Sequence, residues 1–265
     1  AEVAELAYAR HLKCREIYLL WVRVPPSARF ILLMLEENKR KNLILTADDF
    51  GKNDLANRSI LKLAKAGKLD RVSVMADGVF APGEIKELIE IGVKLDIHFE
   101  LEWQKKRRGK MKDNTARQGI VFLVNHFRAG QGKKIQEDWK KQIEKFHDII
   151  SRNPDGINSH EYVHLFPPYF RIAAGLAKQF EIPFIRFGKK GFRGKRNLAH
   201  LVLNNLRRWD KKYFLGSKLH SSEYFTSLDW IGDMNEFLKN IPEGKTEMAC
   251  HPERKEELEL IEKYF

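Results

Sequence analysis

The 265-residue sequence has little cysteine, no long apolar run and fewer acidic than basic residues. Its two cysteines, Cys14 and Cys250, lie far apart and in no CxxC or zinc-knuckle spacing, which argues against a disulfide framework. A reducing, cytoplasmic setting fits this scarcity. No G-x-S-x-G motif is present, so serine-nucleophile chemistry has little support.

Residues 1–41 differ from the rest of the sequence. Their two apolar bursts are interrupted by Arg23 and Arg29, and neither burst is long enough to span a membrane. A signal peptide fits poorly because arginine and proline break any apolar core. The sequence begins without Met, and the first Met is Met34. We expect a misassigned start or a nonessential, poorly ordered extension, with a membrane-surface anchor as the alternative, and a domain over 42–265.

The formal charge of +12 comes from two short segments. Residues 104–118 hold seven Lys/Arg and one Asp, and residues 186–196 hold six Lys/Arg and no acid, so each contributes +6. Both contain glycine and lack apolar periodicity, which predicts loops. We favour the interpretation that both are solvated loops over the alternative that they form a nucleic-acid-binding groove. A third interpretation is that both loops border one site and attract an anionic substrate.

Strand-like and helix-like segments alternate after residue 42. Strand-like segments at 43–46, 71–78 and 93–101 each precede a helical pattern or a polar loop, and a long amphipathic helix is predicted over 134–151. At least six such units follow one another without an evident linker. This rhythm predicts an α/β fold with parallel strands and right-handed crossovers, and we favour an irregular (β/α) barrel over an open sheet.

The first predicted strand ends in two adjacent carboxylates, Asp48 and Asp49, followed by Gly51. Adjacent carboxylates repel, and ionised carboxylates avoid burial unless they are paired or bound to a metal. A helix N-cap near Asn53 would explain one of them but not both. On this stretch alone, a helix cap and a metal or catalytic site remain open.

Other predicted strands also end in polar groups. In parallel α/β folds the carboxyl ends of strands meet at one face, where catalytic groups collect. We expect five further side chains to gather with the aspartates at this face: His98, His160, His164, Arg186 and His251. A carboxylate with two imidazoles suits a divalent ion that keeps open positions for water and substrate. One Asp would then bind the metal while the other accepts a proton from water.

The segments ILTADDFG, LDIHFEL, INSHEYVHLFP, IPFIRF and EMACHP, in this order over about residues 42–252, resemble the YdjC-like carbohydrate deacetylases. The resemblance implies an irregular (β/α) barrel that removes N-acetyl groups from amino sugars with a divalent ion, Mg²⁺ or Zn²⁺. It implies that Asp49, His98 and His160 hold the metal. Asp48 would be the general base, and His251 would protonate the leaving amine. Arg186 and His164 would lie in the substrate pocket.

The sequence departs from that family pattern at three positions. Asp96 stands where the family tends to have glycine, Asn158 where it usually has aspartate, and Tyr162 where it has histidine. We expect these departures to affect which sugar is bound rather than whether a metal is bound. The predicted substrate is an N-acetylated sugar, and the basic loops would favour an anionic or phosphorylated form of it. A second copy of the chain, as a homodimer, is a further candidate partner.

Two alternative functions remain open in the sequence. His160 and His164 have the H-x-x-x-H spacing of NodB-like deacetylases, in which Asp49, His160 and His164 would bind the metal and His98 would be a core residue. The other alternative is a noncatalytic nucleic-acid-binding protein that uses the basic loops, and it leaves the polar strand ends unexplained.

Overall fold

The computed structural model describes residues 41–107, 131–194 and 198–265. The predicted extension over 1–41 therefore falls almost wholly outside the described residues. Seven strands occur in the described ranges: β1 (Leu43–Phe50), β2 (Arg71–Val74), β3 (Lys94–Phe99), β4 (Gly156–Ser159), β5 (Gly191–Phe192), β6 (Tyr224–Ser227) and β7 (Thr246–Cys250). Eight α-helices alternate with them: α1 (Asp54–Lys65), α2 (Glu84–Ile91), α3 (Glu102–Arg107), α4 (Gln131–Ile150), α5 (Pro167–Gln179), α6 (Leu198–Ser217), α7 (Met234–Lys239) and α8 (Lys255–Tyr264).

All seven strands run parallel, in the order β4-β3-β2-β1-β7-β6-β5. Two single bridges join the ends of this sheet. Ile185 pairs with Ile157 of β4, and Phe184 pairs with His220, just before β6. The sheet therefore curls into an irregular barrel, and the predicted fold class is confirmed. No helix in the described ranges is long and apolar enough to cross a membrane.

The helices cover the outside of the sheet with apolar faces. In α1 the side chain of Asn53 accepts a hydrogen bond from the Ala56 amide, 2.9 Å, and so caps the first turn. The long helix α4 buries Trp139, Ile143 and Phe146, which recur at helical spacing. Trp139 stacks on Phe99 of β3 with ring centroids 4.5 Å apart. This packing fixes the position of β3 and of the polar residue that precedes Phe99.

The end of β1 is irregular, and this irregularity turns both aspartates toward one site. The pairing of β1 with β2 shifts register between Ala47 and Phe50. Asp49 has a left-handed backbone with φ 70°, and Gly51 has φ 99°. A Cβ added to Gly51 would lie 2.7 Å from the Phe80 ring, so only glycine fits there. In a regular strand, adjacent side chains point to opposite faces; the bulge removes that restriction.

A buried ion pair lies inside the barrel below the strand ends. Arg71 donates hydrogen bonds from Nε and Nη2 to the two carboxylate oxygens of Asp96. The Arg71 guanidinium also lies 4.3 Å from the Phe184 ring centroid. A Cβ added to Gly156 would lie 2.6 Å from both Arg71 Nη2 and Asp96 Oδ1, which explains the glycine. Asp96 therefore neutralises a buried arginine.

The prediction of two basic loops is partly wrong. The start of the first segment forms α3, where Lys105 pairs with Asp77 and Asp138 at 2.8 and 2.9 Å. The rest of that segment, from residue 108 on, lies outside the described residues. In the second segment Arg186 is fully buried, and Gly191 and Phe192 form β5. The described parts of the two segments, residues 104–107 and 186–194, are therefore not simple solvated loops.

Candidate metal centre and active site

The candidate site lies at the carboxyl ends of β1, β3, β4 and β7. Asp49, His98 and His160 come together there, with one possible ligand atom from each residue all within 4.8 Å of one another. Asp49 Oδ1 lies 2.8 Å from His160 Nδ1 and 3.2 Å from His98 Nε2. Asp49 and His98 are buried, whereas the His160 side chain is 23% exposed and opens the site to solvent. The strand-end rule thus gathers these three residues as predicted.

A chain of hydrogen bonds sets the tautomer of His98. Ser73 Oγ donates to Asp48 Oδ1, 2.7 Å, so it must accept from Asn158 Nδ2, 2.8 Å away. The Asn158 Oδ1 therefore faces His98 Nδ1, which must carry the proton in order to donate. In the neutral ring, the form that binds a metal ion, Nε2 is then the free acceptor, and it points at Asp49 Oδ1.

This arrangement fits a metal ion. His98 Nε2 is a buried atom without a hydrogen-bond partner among the described residues, and it faces a carboxylate oxygen that is also an acceptor. With the ring neutral, the lone pair of Nε2 and that of the carboxylate oxygen converge on one point, where a metal ion can accept both. One carboxylate and two imidazoles with one side open suit a divalent ion of the Mg²⁺ or Zn²⁺ kind. The hydrogen bond from His98 Nδ1 to Asn158 is the outer contact that orients such a ligand.

The other oxygen of Asp49 is held by a lysine. Lys52 Nζ lies 2.8 Å from Asp49 Oδ2 and 3.0 Å from Glu253 Oε1. Burial alone would raise the pKa of Asp49, but the charges of His160 and Lys52 outweigh it and hold that pKa well below the usual range. Asp49 is therefore ionised, with Oδ1 left to face the two imidazoles.

Asp48 is bound on both oxygens by Arg186. The Arg186 guanidinium donates from Nη1 to Oδ2, 2.7 Å, and from Nη2 to Oδ1, 2.9 Å. Its Nε donates to Glu247 Oε1, 2.7 Å, inside the barrel. Burial opposes ionisation of Asp48, but the charge and the hydrogen bonds of Arg186 outweigh it and lower the pKa of Asp48 to about 2. Asp48 is a fixed carboxylate that keeps one lone pair on Oδ2 free of these bonds.

His251 directly follows β7 and is paired with a glutamate from α8. Glu257 Oε2 accepts from the His251 amide at 2.7 Å and lies 3.6 Å from its Nδ1. Burial favours the neutral ring, but Glu257 and Asp49 together raise the pKa of His251 to about 9. The ring is thus an imidazolium at neutral pH, next to the two aspartates.

His164 uses both ring nitrogens within the protein. Its Nε2 donates to the Arg186 carbonyl, 2.9 Å, and its Nδ1 accepts from Ser159 Oγ, 2.7 Å. Burial lowers the pKa of His164 to about 3, so the ring stays neutral. His160 and His164 do not share a helix face, because Glu161 and Tyr162 between them have left-handed backbones with φ 54° and 57°.

Sequence reasoning missed several partners of these side chains. Glu247 begins the segment EMACHP, yet nothing in the sequence of that strand indicates that its side chain contacts Arg186. Ser73 is a small residue in an apolar strand, and Glu257 lies in an ordinary helical turn. Only the charge of Lys52, next to the DDFG turn, gave a local signal. These contacts depend on how distant elements pack.

The fold and the site define a class of protein: a (β/α) barrel with an Asp-His-His cluster at the carboxyl ends of its strands. The sequence matches the model of the YdjC-like protein family over residues 42–263, and the chain belongs to that family.

Comparisons with individual proteins are consistent with this family membership. The chain is 25% identical over 223 residues to chitooligosaccharide deacetylases of Yersinia pestis (strain Pestoides F) and Yersinia pseudotuberculosis (serotype O:1b, strain IP 31758), covering 80% of this chain and 81% of each relative. Among solved structures, a protein of Enterococcus faecalis V583 named for cellobiose-phosphate cleavage superposes with a TM-score of 0.51 at 16% identity. That match covers 78% of this chain and 79% of the other, and it supports the fold alone.

Proposed function

We propose that this protein is a metal-dependent carbohydrate deacetylase that hydrolyses the N-acetyl group of an amino sugar in a chitooligosaccharide-like substrate. The observation that carries the proposal is the convergence of Asp49, His98 and His160, in which His98 Nε2 lies 3.2 Å from Asp49 Oδ1 beside the His160 ring. The family and the names of its relatives support the substrate class.

The three proposed ligands are Asp49, His98 and His160. A divalent ion bound there would polarise the acetyl carbonyl and lower the pKa of water. The ligands leave one side of the site open through the partly exposed His160, where a sugar can enter. Donor chemistry fits both Mg²⁺ and Zn²⁺, with two nitrogen ligands favouring Zn²⁺.

Asp48 is the proposed general base. Arg186 keeps it ionised and fixes its direction, so the carboxylate is ready to take a proton from the attacking water. The low pKa of Asp48, about 2, makes the carboxylate a weak base. Its contribution to the rate must therefore come largely from its fixed position beside the attacking water. Arg186 is thus proposed to act through Asp48, and its buried guanidinium is committed to Asp48 and Glu247.

His251 is the proposed general acid. Hydrolysis of the amide must place a proton on the departing amine nitrogen, and an imidazolium with a pKa of about 9 holds that proton at neutral pH. Its 13% exposed side chain can reach a bound substrate. After the transfer, the charge of Glu257 favours reprotonation of the ring for the next turnover.

The NodB-like arrangement receives less support from this geometry. It would require His164 as a metal ligand, but both nitrogens of that ring are hydrogen-bonded to Ser159 and to the Arg186 carbonyl. It would also leave the partnerless His98 Nε2 without a role. The proposed role of His164 in the substrate pocket, the cytoplasmic location and the homodimer all stay predictions.

Acetate release tests the proposed function. Protein stripped of metal with a chelator, then reloaded with Mg²⁺ or Zn²⁺, is incubated with N,N′-diacetylchitobiose and with its fully deacetylated form. We expect acetate from the acetylated sugar only, and only after metal is restored. Release that is unaffected by the chelator would contradict metal-dependent hydrolysis. Tight, salt-sensitive binding of oligonucleotides without acetate release would favour the nucleic-acid-binding alternative.

A further inference from the structure

A second, strongly basic pocket lies between β5, the start of β6 and helix α6. Its volume is about 580 Å³, within the range of roughly 300–1,000 Å³ typical of small-molecule sites. Five of its lining residues are cationic: Lys190, Arg193, Arg207, Arg208 and Lys211. None of its lining residues belongs to the Asp-His-His cluster or to the proposed catalytic pair.

The positive charge of this pocket is poorly compensated. No acidic residue of the described ranges lines it. Within the described part of the chain, Lys190 pairs with Glu223 at 3.3 Å, and that carboxylate is already shared with Lys189 at 2.8 Å. The four other cations have no carboxylate within ion-pair distance among the described residues. Clustered cations repel one another, so a pocket of this kind favours an anion.

Arg207 is the central observation. The residue is only 4% exposed, and among the described residues its guanidinium donates to two neutral acceptors and no carboxylate, the Asn204 Oδ1 at 3.1 Å and the Lys189 carbonyl at 3.2 Å. Burial and the neighbouring Arg208 lower the pKa of Arg207. A buried charge without an opposite charge is costly, and an anionic ligand would offset that cost.

Aromatic rings hold two of these cations in position. The Arg193 guanidinium lies 4.5 Å from the Tyr224 ring centroid, and that of Arg207 lies 6.0 Å from the Phe192 centroid. Both aromatic residues line the pocket. Stacking of this kind orients a guanidinium and leaves its N–H groups available to a ligand.

We propose that this pocket binds the phosphate group of a small phosphorylated ligand of about the size of a sugar phosphate. Guanidinium groups bind phosphate through paired N–H donors, and three arginines with two lysines match a dianion better than a single carboxylate. The described lining is confined to residues of β5 and its flanks, α6 and the start of β6, and this small extent favours a small molecule over a nucleic-acid strand, whose binding uses an extended groove. This proposal does not depend on deacetylase activity.

The test is calorimetric titration of the metal-free protein with glucose 6-phosphate and with glucose. The test variant is R208Q/K211Q, because both side chains are exposed and their loss does not disturb the core. The matched control is K141Q/K178Q, which removes the same charge from exposed positions on α4 and α5. We expect one site for glucose 6-phosphate, none for glucose, and affinity at least about tenfold weaker in the test variant but nearly unchanged in the control.

Three results would overturn the proposal: equal weakening in both double variants, equal binding of glucose and its phosphate, or no binding of the phosphate at all. A single-stranded oligonucleotide that binds more tightly than glucose 6-phosphate, and loses affinity in the test variant alone, would assign the pocket to nucleic acid instead. The D49N variant separates the two proposals. It should lose metal while binding glucose 6-phosphate as wild type does, and loss of that binding would place the phosphate at the metal centre.

Discussion

Asp48 and Arg186, 138 residues apart in the chain, are joined by two hydrogen bonds of 2.7 and 2.9 Å at the end of the barrel interior. Arg186 is also bonded to Glu247, so one buried guanidinium connects β1, the segment that closes the barrel, and β7. The proposed base is therefore fixed by the same contact that holds three parts of the barrel together. Asp49, the next residue, faces the histidines instead.

Replacement of the proposed base should separate turnover from metal binding. D48N keeps the size of the side chain but removes the negative charge and the ability to take up a proton. We expect metal stoichiometry like that of wild type and a kcat lower by several orders of magnitude. Steady-state acetate release with parallel metal analysis measures both. A kcat within tenfold of wild type would remove Asp48 from the mechanism.

Metal analysis of two histidine variants distinguishes the two possible ligand sets. H98A removes the partnerless Nε2 that faces Asp49, and we expect it to lose bound metal. H164Q keeps one donor and one acceptor for the Arg186 carbonyl and Ser159, and we expect it to retain metal. The opposite pattern would favour the NodB-like arrangement, with His164 as the ligand.

The pH dependence of kcat/KM should report the pKa of His251. An acid with a pKa of about 9 is protonated below that pH, so activity should be lost as the pH rises through about 9. E257Q removes the anion that raises this pKa, so we expect the falling limb to move at least about one pH unit lower. The exposed Glu256 on the same helix provides the control, E256Q. A limb that stays in place in E257Q would exclude His251 as the acid.

Breaking the buried Arg71–Asp96 ion pair should destabilise the protein mainly because the remaining partner is left as an unpaired buried charge. R71M leaves the Asp96 carboxylate buried and alone, which costs about 3–5 kcal/mol and lowers Tm by about 10 °C. R71M/D96N removes the unpaired charge, so we expect much of the loss to be recovered. K86M, which breaks an exposed pair with Glu90, serves as the control and should change Tm little. Equal losses in R71M and the double variant would contradict this account.

The sequence predicted the barrel and the gathering of Asp49, His98 and His160, because one topological rule applies to every parallel strand end. It favoured His98 over His164 as a ligand because His98 lies at a strand end, but the H-x-x-x-H spacing, which suggests one helix face, kept His164 as the alternative. The left-handed backbones of Glu161 and Tyr162 interrupt that helix face. Neither residue type favours a positive φ, so the sequence gives no sign of this interruption.

The hydrogen-bond partners of the site were beyond sequence reasoning for a different reason. In the sequence Asn158 is only a departure from the family pattern, but in the structure it donates to Ser73 and so places the proton of the neutral His98 ring on Nδ1. Glu257 reaches His251 only because α8 packs back on the end of β7. Such contacts depend on the packing of distant segments, whereas strand ends follow from local pattern alone.

The most direct test of the central claim is a joint measurement of metal content and acetate release in wild type and D49N. Asp49 Oδ1 lies within 3.2 Å of both imidazoles, so the change of one oxygen to nitrogen should remove the anionic ligand without loss of volume. We predict about one divalent ion per wild-type chain, acetate release from N,N′-diacetylchitobiose, and loss of both in D49N. A D49N protein that still binds metal and releases acetate at the wild-type rate would contradict the assignment of this site.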